Sequence, residues 1–226
     1  MCGIFGYVGD KNCIPYIISG LEKLEYRGYD SAGVAYLKDK NLEIKKIVGK
    51  VQNLKEILDF NDFSNMGIGH TRWATHGGIS VENAHPHTDC EGNIAVVHNG
   101  IIENYKEIRD FLISRGHKFK SQTDTETVPH LLEEMVDKEG MNLEEALKEL
   151  FKRLEGAFAL LIIDKRRPNT LYALRKQSPL IVGFGTGENF VASDIPALGA
   201  YTERFYYLED NQMAIVSDRE IKVYDL

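Results

Sequence analysis

The sequence predicts an α+β protein in which sheets are sandwiched between helices. Short apolar runs typical of strands occur in both halves of the chain, and segments with helical periodicity fall between them. No linker rich in Pro, Gly or Ser, no low-complexity stretch and no repeat separates the halves. The strands of both halves are therefore expected to join in one layered domain that spans residues 1–226.

The first quarter of the chain alternates strands with helices. Apolar residues at 4–8 form a β-compatible run, whereas those between Ile14 and Leu24 recur at the spacing of a helix that packs on a sheet. Gly28 is expected to end this unit. The elements predicted here are a strand at 4–8, a helix at 14–24, a strand pair at 31–37 and 42–48, and a short helix at 51–58.

Helices dominate the middle of the chain and strands dominate its end. Two strands, at 67–73 and 93–98, run directly into polar residues, where functional loops often lie. Helical periodicity then predicts three helices at 101–115, 125–138 and 143–154. The strands predicted after them are 157–163, 170–175, 180–184, 190–192, 213–216 and 221–224.

The bulk composition favours a soluble protein that acts on a small molecule. With 43% hydrophobic residues, the chain has no apolar run near the roughly 18 residues that span a bilayer, so no membrane partner is expected. The first residues lack a basic leader and a cleavage site, which favours a cytoplasmic location. A net charge of -7 provides no broad attraction for phosphate backbones, so no nucleic-acid partner is expected.

Metal and cofactor sites are not expected. The three cysteines are far apart and form no Cys-x-x-Cys pair, which argues against a disulfide framework and a zinc site. His85 and His87 resemble a metal pair, but Pro86 restricts the backbone between them and no third ligand follows at convincing spacing. The alternating glycines at 183–187 precede neither a helix nor a phosphate-loop lysine. The sequence therefore predicts no metal and no cofactor.

Cys2 is the strongest candidate for a nucleophile. If Met1 is removed, Cys2 carries a thiol and a free α-amine with an ordinary pKa of about 7.7 to 8.0, a combination that suits amide cleavage. A small buried residue at the edge of a core strand is the alternative, and it is the commoner role of a cysteine taken alone. The place of Cys2 at the second position favours the nucleophile.

Two groups compete for the role of general base. The imidazole of His76 ordinarily titrates at about 6.5, closer to neutrality than the α-amine of Cys2. The amine, however, is attached to the carbon that bears the methylene of the thiol, so its proximity to sulfur needs no folding precision. The sequence therefore favours the amine.

Asn99 and Gly100 follow an apolar run and are expected to lie at the end of a strand. The Asn99 side-chain amide and the Gly100 N–H, which glycine leaves unobstructed, suit an oxyanion hole. Asn-Gly is also a common hairpin turn, and that is the more frequent role of the dipeptide alone.

Residues 70–78 combine a strand with a loop of charged, aromatic and flexible residues, typical of a loop that closes over a ligand. Arg72 offers a planar fork for a carboxylate, and Trp73 offers a hydrophobic lid. Gly77 and Gly78 are candidate hinges. An ordinary strand end with a surface arginine and a core tryptophan is about as frequent for such a segment in isolation.

Residues 123–126 permit two interpretations. As structure, Thr123 is the N-cap of a helix and Glu126 reaches back to it in a capping box. As function, Asp124 accepts hydrogen bonds from a substrate ammonium. The two are compatible, because Thr123 and Glu126 suffice for the cap.

Six motifs together carry a family resemblance: CGIFGYVG at 2–9, LEYRGYDSAG at 24–33, HTRWATHG at 70–77, NAHPH at 83–87, VVHNGIIENY at 96–105 and SQTDTE at 121–126. They closely resemble the glutaminase domain of the glucosamine-6-phosphate synthases, which are class II glutamine amidotransferases. The resemblance covers essentially the whole chain. It implies the N-terminal-nucleophile hydrolase fold, an αββα sandwich, and L-glutamine as the substrate.

The resemblance also implies a role for each matching residue. Cys2 attacks the side-chain amide of glutamine, while Asn99 and the Gly100 N–H stabilise the oxyanion. Asp124 binds the substrate ammonium. The remaining implied positions are Arg72, Thr75 and His76 at the substrate carboxylate, Trp73 as a gate on an ammonia channel, and Arg27 and His85 lining or supporting the site.

In this family a sugar isomerase half is expected after the glutaminase domain, and this sequence ends at Leu226 without one. The chain is therefore expected to be an excised domain that hydrolyses glutamine, while the full-length protein binds fructose 6-phosphate and forms a homodimer. The nearest alternative is the glutaminase domain of a phosphoribosyl-pyrophosphate amidotransferase, although segments 24–33 and 70–77 fit the aminosugar branch better. An inert glutamine-binding module is the alternative from another class.

Overall fold

Two antiparallel sheets lie face to face in the computed structural model, which describes residues 1–226. The first sheet has seven strands, in spatial order Phe205–Tyr207 (β11), Ile181–Phe184 (β9), Glu188–Ala192 (β10), Gly3–Gly9 (β1), Met66–Arg72 (β4), Ser31–Lys38 (β2) and Asn41–Val48 (β3). The second has six, in the order Ile221–Asp225 (β13), Gln212–Ser217 (β12), Thr170–Lys176 (β8), Gly156–Asp164 (β7), Ile94–Ile102 (β6) and His87–Thr88 (β5).

Helices cover the outer face of each sheet. The first sheet is covered by Cys13–Leu24 (α1) and Val51–Ile57 (α2). The second is covered by Tyr105–Ser114 (α3), Thr127–Glu133 (α4), which continues as a π-helix over Glu134–Lys138, and Leu143–Arg153 (α5). The four layers confirm the predicted sandwich of sheets between helices. None of these helices is both long and apolar enough to cross a membrane.

The alternation of side chains along the strands builds the apolar layers between these elements. In β1, Phe5 and Tyr7 belong to the core beneath α1, whereas Ile4 and Val8 belong to the core between the two sheets. Successive side chains of a strand point to opposite faces of its sheet, so a strand that is apolar at every position is buried on both. The central strands therefore pack against an apolar core on each face, which fixes the positions of the residues at the ends of β1 and β4.

Local signals explain several boundaries. The Asn12 side chain accepts a hydrogen bond from the backbone N–H of Ile14, and this cap begins α1. The predicted pair of strands is confirmed as β2 and β3, which are joined at Asp39 and Lys40. Both of these residues have positive φ, 50° and 65°, as a two-residue hairpin turn requires.

The prediction that Asn99 lies at a strand end is wrong. β6 continues to Ile102, and Asn99 is paired with Ala159 inside the second sheet. Gly100 follows with φ of 114°, and a Cβ there would lie 2.1 Å from the carbonyl oxygen of Ala157. Only glycine fits this backbone position. Because β6 stays paired with β7 through Ile102, Asn-Gly neither ends the strand nor forms a hairpin turn.

Because β6 extends further than expected, the helix predicted over 101–115 begins only at Tyr105. The helix predicted over 125–138 begins at Thr127 and changes to a π-helix after Glu133. Two short strands at sheet edges, β5 and β11, were not predicted, because two or three residues carry no readable periodicity.

The predicted capping box at 123–126 is also wrong. α4 has Glu126 at its N-cap position and no side-chain cap hydrogen bond. The Glu126 carboxylate instead accepts hydrogen bonds from the backbone N–H groups of Lys120 and Ser121, at 2.7 and 2.6 Å. Thr123 Oγ1 contacts the Ser121 hydroxyl at 3.1 Å. Both side chains that the capping box requires, Thr123 and Glu126, therefore form contacts with the preceding turn instead.

Candidate active site

One cavity of about 290 Å³ brings together all ten residues that the sequence analysis assigned to the site. The residues meet where Cys2 enters β1, where β4 ends, and where Asn99 and Gly100 lie in β6. The assigned residues in its lining are Cys2, Arg27, Arg72, Trp73, Thr75, His76, His85, Asn99, Gly100 and Asp124. Segments far apart in sequence thus converge on one space.

The Cys2 thiol lies against the backbone of Trp73. Cys2 Sγ accepts a hydrogen bond from the Trp73 N–H at 3.1 Å and lies 3.5 Å from the Trp73 carbonyl oxygen. Burial raises the pKa of the Cys2 thiol, while the Trp73 N–H and the N-terminal charge act in the opposite direction. Since the thiolate is the nucleophilic form, this thiol needs a nearby base to react at neutral pH.

Met1 stands at the mouth of the cavity. Its ammonium group donates a hydrogen bond to the carbonyl oxygen of Arg27, and its side chain is exposed. The Arg27 guanidinium is buried against Ser193, whose carbonyl oxygen it reaches at 3.3 Å, and pairs with Asp194 at 3.6 Å. While Met1 is attached, the nitrogen of Cys2 belongs to a peptide bond and is not basic.

The Asn99 side chain is held in one orientation. Its Oδ1 lies 3.0 Å from His70 Nε2, and its Nδ2 donates to the Cys2 carbonyl oxygen at 3.1 Å. His70 Nε2 also lies 2.9 Å from the His98 carbonyl oxygen, while His70 Nδ1 is buried without a partner. The proton of His70 therefore sits on Nε2, and its donation fixes the Asn99 amide with its NH₂ group towards Cys2.

His70 was not singled out by the sequence analysis, although it lies within the motif at 70–77. It is fully buried, and burial lowers its pKa to about 3, so the ring is neutral at physiological pH. His85 stacks on it with ring centroids 4.1 Å apart and has a pKa lowered well below its usual value, first of all by burial. His85 Nδ1 accepts a hydrogen bond from the His98 N–H at 3.3 Å. These neutral rings support the site without adding charge.

Arg72 holds the loop that follows β4. Its guanidinium donates to the carbonyl oxygens of His76 at 2.6 Å and Gly78 at 3.0 Å. The side chain is almost fully buried at the cavity wall. Trp73, by contrast, is 54% exposed at the mouth, so the alternative of a core tryptophan at this strand end does not hold.

Asp124 supplies the buried negative charge. Its Oδ2 accepts a hydrogen bond from the N–H of Ile102, the last residue of β6, at 2.8 Å. Its Oδ1 lies 4.0 Å from His76 Nδ1, which in turn is 3.3 Å from Thr75 Oγ1. The carboxylate therefore has one backbone donor and an oxygen that faces the group of Thr75 and His76.

The polar groups of the cavity match an α-amino acid with an amide side chain. Asp124 offers an anion for an ammonium, Arg72 offers a cation for a carboxylate, and Asn99 offers an oriented N–H donor beside the Cys2 thiol. The burial that lowers the pKa of the surrounding histidines keeps those rings from adding a competing positive charge.

Comparison with known sequences identifies the family to which this chain belongs. Residues 70–200 match the family model of the glutamine amidotransferase domain. The whole chain aligns with the glutamine--fructose-6-phosphate aminotransferases (isomerizing) of Pyrococcus horikoshii and Aquifex aeolicus, at 50% identity to each. The chain spans 38% of the length of each of these relatives.

Solved structures agree on the fold. A glutamine phosphoribosylpyrophosphate amidotransferase from B. subtilis, complexed with ADP and GMP, superposes with a TM-score of 0.84 at 26% identity, covering 99% of this chain and 49% of that one. A glutamine aminotransferase class-II domain protein from Silicibacter pomeroyi, at 16% identity and a TM-score of 0.68, shares the fold. The N-terminal-nucleophile hydrolase fold implied by the motifs is confirmed.

Proposed function

The chain belongs to the family of glutamine amidotransferase domains, and from this premise we propose that it hydrolyses L-glutamine to glutamate and ammonia with Cys2 as the nucleophile. The observation that carries the proposal is the contact between Asn99 and Cys2. The Asn99 Nδ2 donor, oriented by His70, lies 3.1 Å from the Cys2 carbonyl oxygen in the cavity that also contains Arg72 and Asp124. A nucleophile and an oxyanion donor thus share one small space.

The reaction proceeds in two halves. Cys2 Sγ attacks the amide carbon of the glutamine side chain, and the carbonyl oxygen takes up negative charge beside Asn99 Nδ2 and the Gly100 N–H. The carbon–nitrogen bond then breaks, the base delivers the thiol proton to the leaving nitrogen, and ammonia departs. Water attacks the resulting thioester, glutamate leaves and the thiol is restored.

The base is the α-amine of Cys2 once Met1 has been removed. Burial raises the pKa of the thiol, so an adjacent proton acceptor is needed. The amine is placed beside the sulfur by covalent structure, whereas His76 must be brought there by folding. The contacts of His76 Nδ1 are with Thr75 Oγ1 at 3.3 Å and Asp124 Oδ1 at 4.0 Å. His76 remains the alternative base.

The rest of the site binds the zwitterionic end of glutamine. Asp124 accepts hydrogen bonds from the substrate ammonium, and Arg72, with Thr75 and His76, binds the carboxylate. Arg72 already holds the loop through the carbonyl oxygens of His76 and Gly78, so substrate binding and loop position are linked through one guanidinium. Trp73, at the mouth, is the gate through which ammonia leaves.

In the whole protein, the ammonia passes to fructose 6-phosphate on a sugar isomerase half. The relatives at 50% identity are glutamine--fructose-6-phosphate aminotransferases, and their length beyond this chain leaves room for such domains. The full-length protein is a cytoplasmic homodimer without a nucleic-acid or membrane partner. The structural likeness to a phosphoribosylpyrophosphate amidotransferase supports the second candidate, in which the same ammonia serves another acceptor.

Glutamate release by the chain tests the catalytic proposal. Intact-mass measurement first establishes whether Met1 has been removed, and the processed chain is then compared with its Cys2→Ala variant. We expect release from the processed chain only, because the variant lacks the attacking sulfur. Equal release from both chains would refute the assignment of Cys2 as the nucleophile. If the chain that retains Met1 releases glutamate as fast as the processed chain, His76 is the base.

A further inference from the structure

A second group of ligand-type side chains lies on the α4 side of the second sheet, outside the cavity lining. It joins the turn between β5 and β6, the connection between α3 and α4, and α4 itself. The group, called here the Cys90 cluster, consists of Cys90, His117, His130 and Glu133. One nitrogen, oxygen or sulfur atom from each lies within 4.8 Å of the others. Cys90 is exposed, and the other three are buried.

The distances inside the Cys90 cluster are those of a tetrahedral metal site. His117 Nδ1 and His130 Nδ1 are 3.1 Å apart, and Cys90 Sγ lies 3.8 and 3.4 Å from them. Glu133 Oε2 is 3.7 Å from both nitrogens. Zinc bonds of about 2.0 to 2.3 Å in a tetrahedron separate neighbouring ligand atoms by about 3.3 to 3.6 Å. These five distances, from 3.1 to 3.8 Å, bracket that range, and the sixth pair, Cys90 and Glu133, lies within 4.8 Å.

The outer nitrogens of both rings are already oriented. His117 Nε2 lies 2.8 Å from Glu134 Oε2, and His130 Nε2 lies 3.3 Å from Glu126 Oε1. A carboxylate accepts the proton of Nε2, so a neutral ring presents a lone pair at Nδ1. Carboxylates that orient metal-binding histidines in this way are a regular feature of zinc sites. In these tautomers both lone pairs point at the same space, with the two Nδ1 atoms 3.1 Å apart, as two ligands of one cation would be.

We propose that the Cys90 cluster binds one Zn²⁺ through all four of its side chains, with Glu126 and Glu134 orienting the two rings. Binding forms a zinc–sulfur bond, and the thiol proton of Cys90 passes to solvent. Four protein ligands leave no open position for a substrate, which is typical of a structural zinc site. No metal was expected from the sequence, because the cysteines form no Cys-x-x-Cys pair and no third ligand follows His85 and His87. The four ligands of the Cys90 cluster are separated by up to 43 residues, and only the fold brings them together.

The ion secures the turn that carries Asp124. Glu133 Oε2 also accepts a hydrogen bond from the Cys90 N–H at 2.7 Å, which ties the β5–β6 turn to α4. Glu126, which orients His130, accepts the backbone N–H groups of Lys120 and Ser121. Asp124 lies in this same turn, at the wall of the cavity.

Cobalt spectroscopy on the whole chain tests the proposal, because Co²⁺ replaces Zn²⁺ and is coloured. The Cys2→Ala variant is the background, since it removes the thiol of the cavity. We expect one Co²⁺ per chain, visible bands of tetrahedral cobalt and a thiolate-to-cobalt band in the near ultraviolet, all abolished by one equivalent of Zn²⁺. A spectrum of cobalt in water, or no uptake, would overturn the proposal.

Matched variants assign the ligands. Cys90→Ser, at an exposed position, should lose the thiolate band. Cys13→Ala should keep it, because Cys13 lies buried beneath the first sheet. Glu134→Gln should weaken zinc binding by about 10- to 100-fold, the usual loss for a group that orients a ligand. Circular dichroism verifies the fold of each chain. A thiolate band that survives in Cys90→Ser would also refute the site.

Discussion

The cavity and the Cys90 cluster both bury histidines, but different groups surround the rings. His70 and His85 contact a carbonyl oxygen, an amide, a backbone N–H and each other. His117 and His130 each contact a carboxylate. Burial lowers the pKa of His70 to about 3, whereas at His130 burial is opposed by hydrogen bonds to Glu126 and Glu133, which raise the pKa. Both rings are buried, and the carboxylate partners of His130 reverse the direction in which burial moves the pKa.

The different partners give the buried histidines two different roles. The neutral ring of His70 directs the Asn99 amide by a hydrogen bond and adds no charge. The proposed recognition of a zwitterionic substrate therefore depends on charged side chains in the lining, such as Asp124 and Arg72. A ring held by a carboxylate in the Cys90 cluster presents its second nitrogen as a ligand. Three predictions test the cavity half of this contrast, beginning with the donor that His70 orients.

Replacement of Asn99 by Ala should have the largest effect. The substitution removes the oriented donor, and we expect turnover to fall by about 100- to 1000-fold, the usual loss for one oxyanion donor. Steady-state measurement of glutamate release by the processed chain gives the value. Because Asn99 Nδ2 acts mainly on the transition state, KM should change little. Near-normal turnover would remove Asn99 from the oxyanion hole.

The sequence predicted elements well where an apolar period continued without interruption. β1 and α1 were found from the spacing of Ile4, Ile14 and Leu24, because both elements bury a regular apolar face. The end of β6 was missed because Asn-Gly is usually a turn, whereas here the pairing with β7 continues through a glycine with positive φ. Long-range pairing overrode a local signal.

The site was predicted from its motifs, but its supporting contacts were not. His70 and Asn99 are 29 residues apart, and nothing in their spacing shows that one orients the other. The predicted capping box at Thr123 and Glu126 was wrong for the same reason. In the folded chain the Glu126 carboxylate contacts Lys120, Ser121 and His130 instead. Such contacts depend on where β6, α4 and the turn before it come together in three dimensions.

Replacement of Asp124 by Asn should have the next largest effect, and it should fall on binding. The variant keeps the size of the side chain and removes the charge that pairs with the substrate ammonium. Since hydrogen bonds to charged groups contribute about 1.5 to 3 kcal/mol, KM for glutamine should rise by about 10- to 100-fold, with a smaller change in kcat. An unchanged KM would show that the ammonium binds elsewhere. The two variants together separate the charge of the cavity from its oriented donor.

The smallest expected effect concerns pH and stability. The pKa of His70 is about 3 in the folded chain and about 6.5 when unfolded, so below pH 6.5 the unfolded chain binds a proton that the folded chain does not. The contribution of His70 is therefore fully present above about pH 6.5 and is lost as the pH falls towards 3. One such proton changes the free energy of unfolding by up to about 1.4 kcal/mol per pH unit.

Urea denaturation of the wild type and of His70→Gln, at pH 7 and at pH 5, measures this contribution. Glutamine retains an N–H donor for Asn99 but does not titrate, so the variant should lose less stability between the two pH values than the wild type. All other titrating groups are shared, and the comparison isolates one ring. Equal losses in the two chains would mean that His70 takes up its proton without unfolding, and a charged ring would then lie beside Asn99. The contrast between neutral rings in the cavity and carboxylate-bound rings in the Cys90 cluster would not survive that result.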